Sequence, residues 1–385
     1  MITFILTLSA LMVISSMYVL IPITNQLATV FHSSSYLIAS VNSVFSLFYA
    51  IGFLFFGPLA ERYGKKQVIV FGISCLAIVT FIAGFSKSIE FLIVCRAIQG
   101  FVAAAFAPAA FAYVFEYFSS EKRMVAMTWI TTGFLAAGII GQVMSSLLIQ
   151  LFSWQAIFWS LALAYSILSL MNYQGLCASS VVRVEREGNG IIVRRLLHNS
   201  SLLKAYIVGF TLLLSYVALY SSIGNYLSMV LKFSSHEIFN IRLIGIIGML
   251  GSLLVRPLTN QCSLSKSVAL GIGVMMISAI FPIIMATKGA IIISLVCFVA
   301  GIAITIPCLI ALVGQLAGSD SGLAVTGYTF ITFVGASVGP IVANVGEFNF
   351  VTMLLVSILC IALWSTLNIK NAEAEQRNTK VKCNV

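Results

Sequence analysis

Gly57-Pro58-Leu59-Ala60-Glu61-Arg62-Tyr63-Gly64-Lys65-Lys66-Gln67-Val68 decides how this chain is read. The stretch is bounded by glycines and holds Glu61, Arg62, Lys65 and Lys66, in a sequence that is only 8% charged. An apolar run of about 36–59 precedes it and another of about 68–86 follows it. A bilayer crossing takes roughly 20 mainly apolar residues, so each run is long enough to span. A short charged connection between two such runs is a turn at the water interface.

Working outward, the same count finds twelve runs: about 3–26, 36–59, 68–86, 91–115, 125–149, 154–175, 203–229, 239–258, 267–286, 290–313, 322–346 and 349–369. The chain is 60% hydrophobic over 385 residues. Soluble domains carry about 25% charged residues, so a soluble protein of this composition could not cover its surface. The expected fold is an all-α membrane protein with 12 transmembrane helices in two six-helix halves. The halves would be 1–176 and 203–369, with a central loop at 177–202 and a tail at 370–385. The first run is too long for a cleavable signal and lacks a basic leader, so it is expected to stay as the first helix.

The basic residues set the orientation. Turns that follow even-numbered runs hold Arg62, Lys65, Lys66, Lys122, Arg123, Arg183, Arg186, Arg194, Arg195, Lys204, Arg256 and Lys266; the other turns hold few. By the positive-inside rule, both termini and the central loop are cytoplasmic and the protein sits in the cell (inner or plasma) membrane. The net charge of +10 is explained by these loops and needs no nucleic-acid partner. The eight cysteines show no CxxC or Cys/His spacing, so neither a disulfide framework nor a metal site is expected, and no cofactor.

The two halves read as a repeat. Shifted by 200, Ile23-Thr24-Asn25-Gln26-Leu27-Ala28-Thr29-Val30 lies over Ile223-Gly224-Asn225-Tyr226-Leu227-Ser228-Met229-Val230. At nearly the same shift Pro58-Leu59 falls on Pro257-Leu258, Pro108 near Pro307 and Gly141 near Gly339-Pro340. A common offset at several places implies duplicated halves around a central cavity.

In these residues the chain resembles the major facilitator superfamily over its whole length, and its 12-helix drug:proton antiporter branch in particular. The opening stretch resembles that family's loop between helices two and three, G-x-L-a-D-r-x-G-r-k-x-x-l. Gly57, Leu59, Ala60, Arg62, Gly64 and Lys66 match, with Glu61 for the usual Asp and Lys65 for the usual Arg. The two glycines allow geometry and close packing that a Cβ would forbid. Glu61 is placed near the start of helix three, where a carboxylate meets the positive helix end. A latch of Gly57, Glu61, Arg62, Gly64, Lys65 and Lys66 would hold the halves closed on the inside, with Glu116 resembling the acid that pairs with its basic residues. The alternative is ordinary topogenic charge. The second-half loop, Arg256 to Ser263, lacks the acid and both glycines, so the latch would be asymmetric.

Three further features carry the resemblance. Arg96 lies about five residues into the fourth run with Gln99 and Gly100 in the Arg-x-x-Gln-Gly spacing, which resembles the helix-four motif linked to proton transfer in proton-coupled members. A charge inside the bilayer costs at least about 2.5 kcal/mol, so Arg96 should face a partner or the cavity; the alternative is snorkelling to the outer surface. Gly133, Gly138 and Gly141 partly match the glycine-rich helix-five motif of exporters and would let helices five and eight, or two and eleven, approach closely, unless they serve generic packing. Tyr18, Asn25, Asn42, Gln99, Tyr216, Tyr220, Asn225 and Arg242 are candidate cavity residues, with Glu237 and Glu347 as possible partners of Arg242. As a set they suggest an aromatic, weakly polar pocket for amphiphilic molecules.

None of the eleven acids falls at mid-membrane, and His32, His198 and His236 lie in loops. The resemblance implies protons as the coupling ion; the residues leave Glu61, Glu116 or a rim acid to carry them. No Walker loop and no intramembrane catalytic cluster is present, so the chain is expected not to be an enzyme. The expectation is a monomeric secondary transporter in the lipid bilayer that exports a small-molecule substrate. A carrier of one defined metabolite, such as a sugar, amino-acid derivative or metallophore, and a non-transporting sensor on the same fold are the alternatives.

Overall fold

The computed structural model describes residues 1–177, 195–196, 198–285 and 287–369, with side chains at all but a few of these positions, Glu61 and Glu121 being among the exceptions. Most of the expected central loop and the 370–385 tail therefore lie outside the described residues. Among the described residues, 12 helices are long and apolar enough to cross a membrane. They are α1 (Ile2–Val30), α2 (Tyr36–Ala60), α3 (Lys65–Ala83), α4 (Ile89–Tyr117), α5 (Val125–Leu151) and α6 (Trp154–Gly175) in the first half. The second half holds α7 (Ser200–Val230), α8 (Glu237–Gln261), α9 (Leu264–Ile284), α10 (Lys288–Ala317), α11 (Leu323–Val342) and α12 (Phe348–Leu367). Each coincides with an expected run to within a few residues.

Local chemistry starts these helices. Ser34, Ser88, Ser234, Ser263 and Thr287 each accept a backbone N–H from three residues on, filling a donor that the first helical turn leaves open. At Ser234 the cap is reciprocal, because the Glu237 carboxylate accepts the Ser234 N–H at 3.1 Å. The caps also expose the repeat. Ser34 and Ser234 stand 200 positions apart and open α2 and α8. Two residues before them, His32 (φ 48°) and Lys232 (φ 52°) are the only described non-glycine residues at positive φ. Chain turns this similar at one offset confirm the duplication.

The copies then diverge. The helix of α2 is unbroken from Ser35 to Tyr63. Its counterpart α8 is α-helical over Ser235–Ile244, narrows to a 3-10 helix over Gly245–Leu254, and ends as α-helix over Val255–Gln261. A 3-10 helix has 3.0 residues per turn, so Gly245, Gly248 and Gly251 stack along one edge, and all three are buried. A Cβ on Gly248 would lie 2.3 Å from the Val296 carbonyl oxygen, and one on Gly251 2.8 Å from that of Ala300. The narrow segment therefore lies directly on the backbone of α10. In α1 the break comes at Pro22, inside a short 3-10 turn over Ile21–Ile23; proline has no N–H to continue the ladder.

One end of the bundle collects Arg62, Lys65, Lys66, Arg123, Lys204, Arg256 and Lys266, where α2, α4, α6 and α8 end and α3, α5, α7 and α9 begin. We refer to it as the basic end. The two halves meet where α2 packs on α11, α5 on the first part of α8, and α7 on the Ile21–Ile23 turn of α1. The last two contacts lie away from the basic end.

Candidate functional site

A cavity lies between the halves. Its walls come from α1, α2, α4 and α5 on one side and α7, α8, α10 and α11 on the other, with α3, α6, α9 and α12 outside. Aromatic side chains dominate it: Tyr18, Tyr49, Phe53, Phe111 and Phe134 face Tyr216, Tyr328 and Phe333, and Thr131, Thr329 and Thr332 add hydroxyls. No charged residue lines it among the described residues. Two aromatic contacts cross from one half to the other. Tyr18 meets Tyr216 edge-on at 5.7 Å between ring centroids, and Tyr49 meets Phe333 at 4.5 Å. Edge-to-face pairs of this kind favour the contact beyond their buried area.

Of the sequence-predicted cavity residues, Tyr18 and Tyr216 line it. Asn42, Gln99, Tyr220 and Arg242 are buried behind its walls, and Asn25 and Asn225 are half-buried. The sequence reading missed Tyr49, Phe53, Tyr328 and Phe333, since an aromatic in an apolar run carries no mark of which way it faces.

Arg96 does not snorkel. It is fully buried on α4, where Nη2 donates to the Ser16 carbonyl at 2.8 Å and Nη1 to Ser16 Oγ and Gln99 Oε1, both at 3.2 Å. Its guanidinium lies 4.1 Å above the centre of the Phe45 ring, within cation–π range. Gln99 Nε2 passes the chain on to Thr80 of α3 at 2.7 Å. At Gly100 a Cβ would stand 2.1 Å from the Phe45 carbonyl oxygen, so only glycine lets α4 approach α2 this closely. Arg96 thus gathers α1, α2, α3 and α4. Ser16 is two residues from Tyr18, and the Phe45 ring stacks on Tyr49 at 6.4 Å, so Arg96 sets the wall of the cavity without touching its interior.

The glycines of α5 face α1 and α7 rather than α8. A Cβ would lie 2.8 Å from the Thr7 carbonyl at Gly133, 2.8 Å from the Ser15 carbonyl at Gly141, and 2.6 Å from the Tyr216 hydroxyl at Gly138. Their counterparts in α11 face α7: Gly335 lies against Phe210 and Gly339 against Leu214 and Val217. α5 does pack on α8 and α2 on α11, as expected, but through other residues.

At the basic end Lys65 Nζ meets Glu116 Oε2 at 2.5 Å. The pair joins α3 to α4 inside the first half, so it is not the clasp between halves that the sequence suggested. Lys66 lies over the Tyr173 ring of α6, and Arg123 Nη2 donates to the Phe115 and Phe118 carbonyls at the end of α4, where cations suit the helix dipole. Two more expectations change. The α2 helix runs on to Tyr63, so Glu61 lies in its last turn and not at the start of α3; its side chain is outside the described residues. Gly64, at φ 96°, does need glycine, but a Cβ on Gly57 would meet nothing within 4 Å.

Arg242 is 4% exposed on the first part of α8, and neither its Nε nor its Nη1 has a hydrogen-bond partner. Glu237 does not serve it: that carboxylate binds Lys288 at 3.0 Å and caps Ser234. Glu347 is exposed at the N-cap of α12.

Residues 4–340 match the family model of the Major Facilitator Superfamily. The chain belongs to this superfamily. Among its relatives is the Uncharacterized MFS-type transporter YybF of Bacillus subtilis, 25% identical over 366 residues, covering 90% of this chain and 88% of that one. The Chloramphenicol resistance protein CraA of Acinetobacter baumannii is 22% identical over 331 residues, covering 80% and 78%. The crystal structure of a bacterial homolog to the human lysosomal transporter Spinster, inward-facing and unoccupied, superposes with TM-score 0.72 at 13% identity over 96% of this chain and 94% of that one. This major facilitator is accordingly a multi-pass membrane transporter for a small molecule.

Proposed function

We propose that the protein is a secondary active transporter that exports small amphiphilic, drug-like molecules by alternating access in exchange for protons. The observation that carries this reading is the cavity, whose aromatic walls are shared between two repeated halves. A void with one wall on each of two bodies changes its exposure when the bodies rock about their contact. Its rings and scattered hydroxyls suit a substrate that is mostly apolar and weakly polar. The name of the CraA relative, a resistance protein, supports export. The concentration of Lys and Arg at one end supports a cytoplasmic basic end in the cell membrane, and a cavity complete within one chain supports a monomer. With no acid on the cavity wall, the exchanged proton is assigned to a carboxylate at the basic end, Glu116 or Glu61.

Purified protein in proteoliposomes carrying an imposed pH gradient tests the reading. Uptake of one or more members of a panel of amphiphiles that includes organic acids, neutral drugs and cationic dyes should follow the gradient and stop when it is collapsed. Uptake that is insensitive to every ion gradient would refute coupling, and no uptake of any amphiphile in a broad panel would refute export.

A further inference from the structure

Two arginines are buried at matching depth. Arg96 follows Ile89, the first residue of its helix, by seven positions, and Arg242 follows Ser235 by seven. At 1.5 Å per residue both are about 10 Å from the end opposite the basic one. Their surroundings differ. Nε lacks a hydrogen-bond partner in both, but both terminal nitrogens of Arg96 donate to α1 or Gln99, whereas Nη1 of Arg242 has no partner either. A guanidinium stays charged in proteins, and a buried charge is tolerated where something pairs with it. Of the acids the sequence offered as its partners, Glu237 is engaged with Lys288 and Glu347 is exposed.

The route from the cavity to Arg242 follows one face of α7. Tyr216, Tyr220 and Gly224 are spaced by four, so they lie one above another. Tyr216 lines the cavity, and its ring is 4.7 Å from that of Tyr220. The Tyr220 hydroxyl is buried and unpartnered, and points at the α8 backbone, where a Cβ on Gly245 would be 2.9 Å away. Gly224 lies under Arg242, since a Cβ there would be 2.6 Å from Nη2. Unfilled donors from α7 and α8 thus converge where glycine leaves room, one step behind the cavity wall.

We propose that Arg242 and Tyr220 form an anion site beside the end of the cavity away from the basic end, and that the transported amphiphiles are organic acids whose carboxylate pairs with Arg242 while the apolar body lies among the cavity aromatics. This rests on the transport reading above and narrows its substrate class. An acidic lipid headgroup has the same chemistry, so the test separates the two sources.

The probes are naphthylacetate and its uncharged amide, titrated against the full chain in phosphatidylcholine nanodiscs. The acid should bind at least about tenfold more tightly than the amide. Arg242→Gln should erase the difference and Arg242→Lys should keep part of it, with a monodisperse elution profile showing that each variant is folded. Adding phosphatidylglycerol to the discs should leave acid binding unchanged. Equal affinity for acid and amide in the native chain overturns the site, as would preference retained in a folded Arg242→Gln. Loss of acid binding on adding phosphatidylglycerol overturns the substrate assignment in favour of lipid. If the acid shows no binding preference while a neutral amphiphile is still taken up in the proteoliposome assay, the anion site fails and the transport reading stands. If no amphiphile is taken up there, the transport reading itself fails.

Discussion

Arg96 donates to both the carbonyl and the hydroxyl of Ser16, at 2.8 and 3.2 Å, and so ties α4 to α1 two residues from the cavity tyrosine Tyr18. Charge-assisted bonds are roughly twice as strong as neutral ones, and here both Arg96 and Ser16 are fully buried. Arg96→Ala should insert normally in the membrane but lose transport, because the Ser16 end of α1 is released. Arg96→Lys keeps the charge but presents a single ammonium, so it should restore part of the flux. Flux in proteoliposomes at matched protein levels checks both; unimpaired transport by Arg96→Ala would remove the clamp from the mechanism.

Lys65 and Glu116 hold the basic ends of α3 and α4 together. Interface ion pairs contribute up to about 1 kcal/mol, so Lys65→Met and Glu116→Gln should each lower the thermal midpoint by a degree or two, and the double variant should cost less than their sum. A double-mutant cycle on purified protein measures the coupling. If Glu116 also carries the exchanged proton, Glu116→Gln should keep substrate binding and lose substrate-driven proton movement. Normal proton movement in that variant would return the coupling role to another acid.

The spans were readable because the bilayer fixes their length, and the duplication because turns keep strict spacing, as Ser34 and Ser234 show. The cavity was not readable. Tyr49 and Phe333 sit in apolar runs indistinguishable from Phe55 or Phe71, which are exposed on the outer surface. Lipid and cavity both accept apolar faces, so hydropathy cannot separate them. Polar residues misled for the complementary reason. Asn42 and Tyr220 were expected inside the cavity but lie buried between helices. The glycine-bounded loop was half legible: spacing alone could not show that Gly64 is required by its φ while Gly57 is not.

That difference is testable. At φ 96° an alanine at position 64 should cost about 1–3 kcal/mol. Gly57 lies inside the α2 helix with open space where a Cβ would go, so Gly57→Ala should be neutral or stabilise by up to about 1 kcal/mol. Thermal unfolding in one detergent ranks them, and a Gly57→Ala variant as damaged as Gly64→Ala would contradict the packing described.

The 3-10 segment of α8 gives a sharper case. Gly248 lies against the α10 backbone, which cannot move aside as a flexible side chain would, and a Cβ there would stand 2.3 Å from the Val296 oxygen. Gly248→Ala should therefore push α8 off α10 at a cost of about 1–3 kcal/mol. Gly273 on α9 meets nothing within 4 Å and provides the control, since Gly273→Ala changes helix propensity without a clash. The same displacement would shift Met249, the α8 residue on the cavity wall. Gly248→Ala should accordingly raise the KM for transported amphiphiles as well as lower the thermal midpoint, while Gly273→Ala leaves KM unchanged. A Gly248→Ala protein with native midpoint and native KM would mean that α8 regains regular α-helical winding there, and that the narrow segment does not shape the cavity.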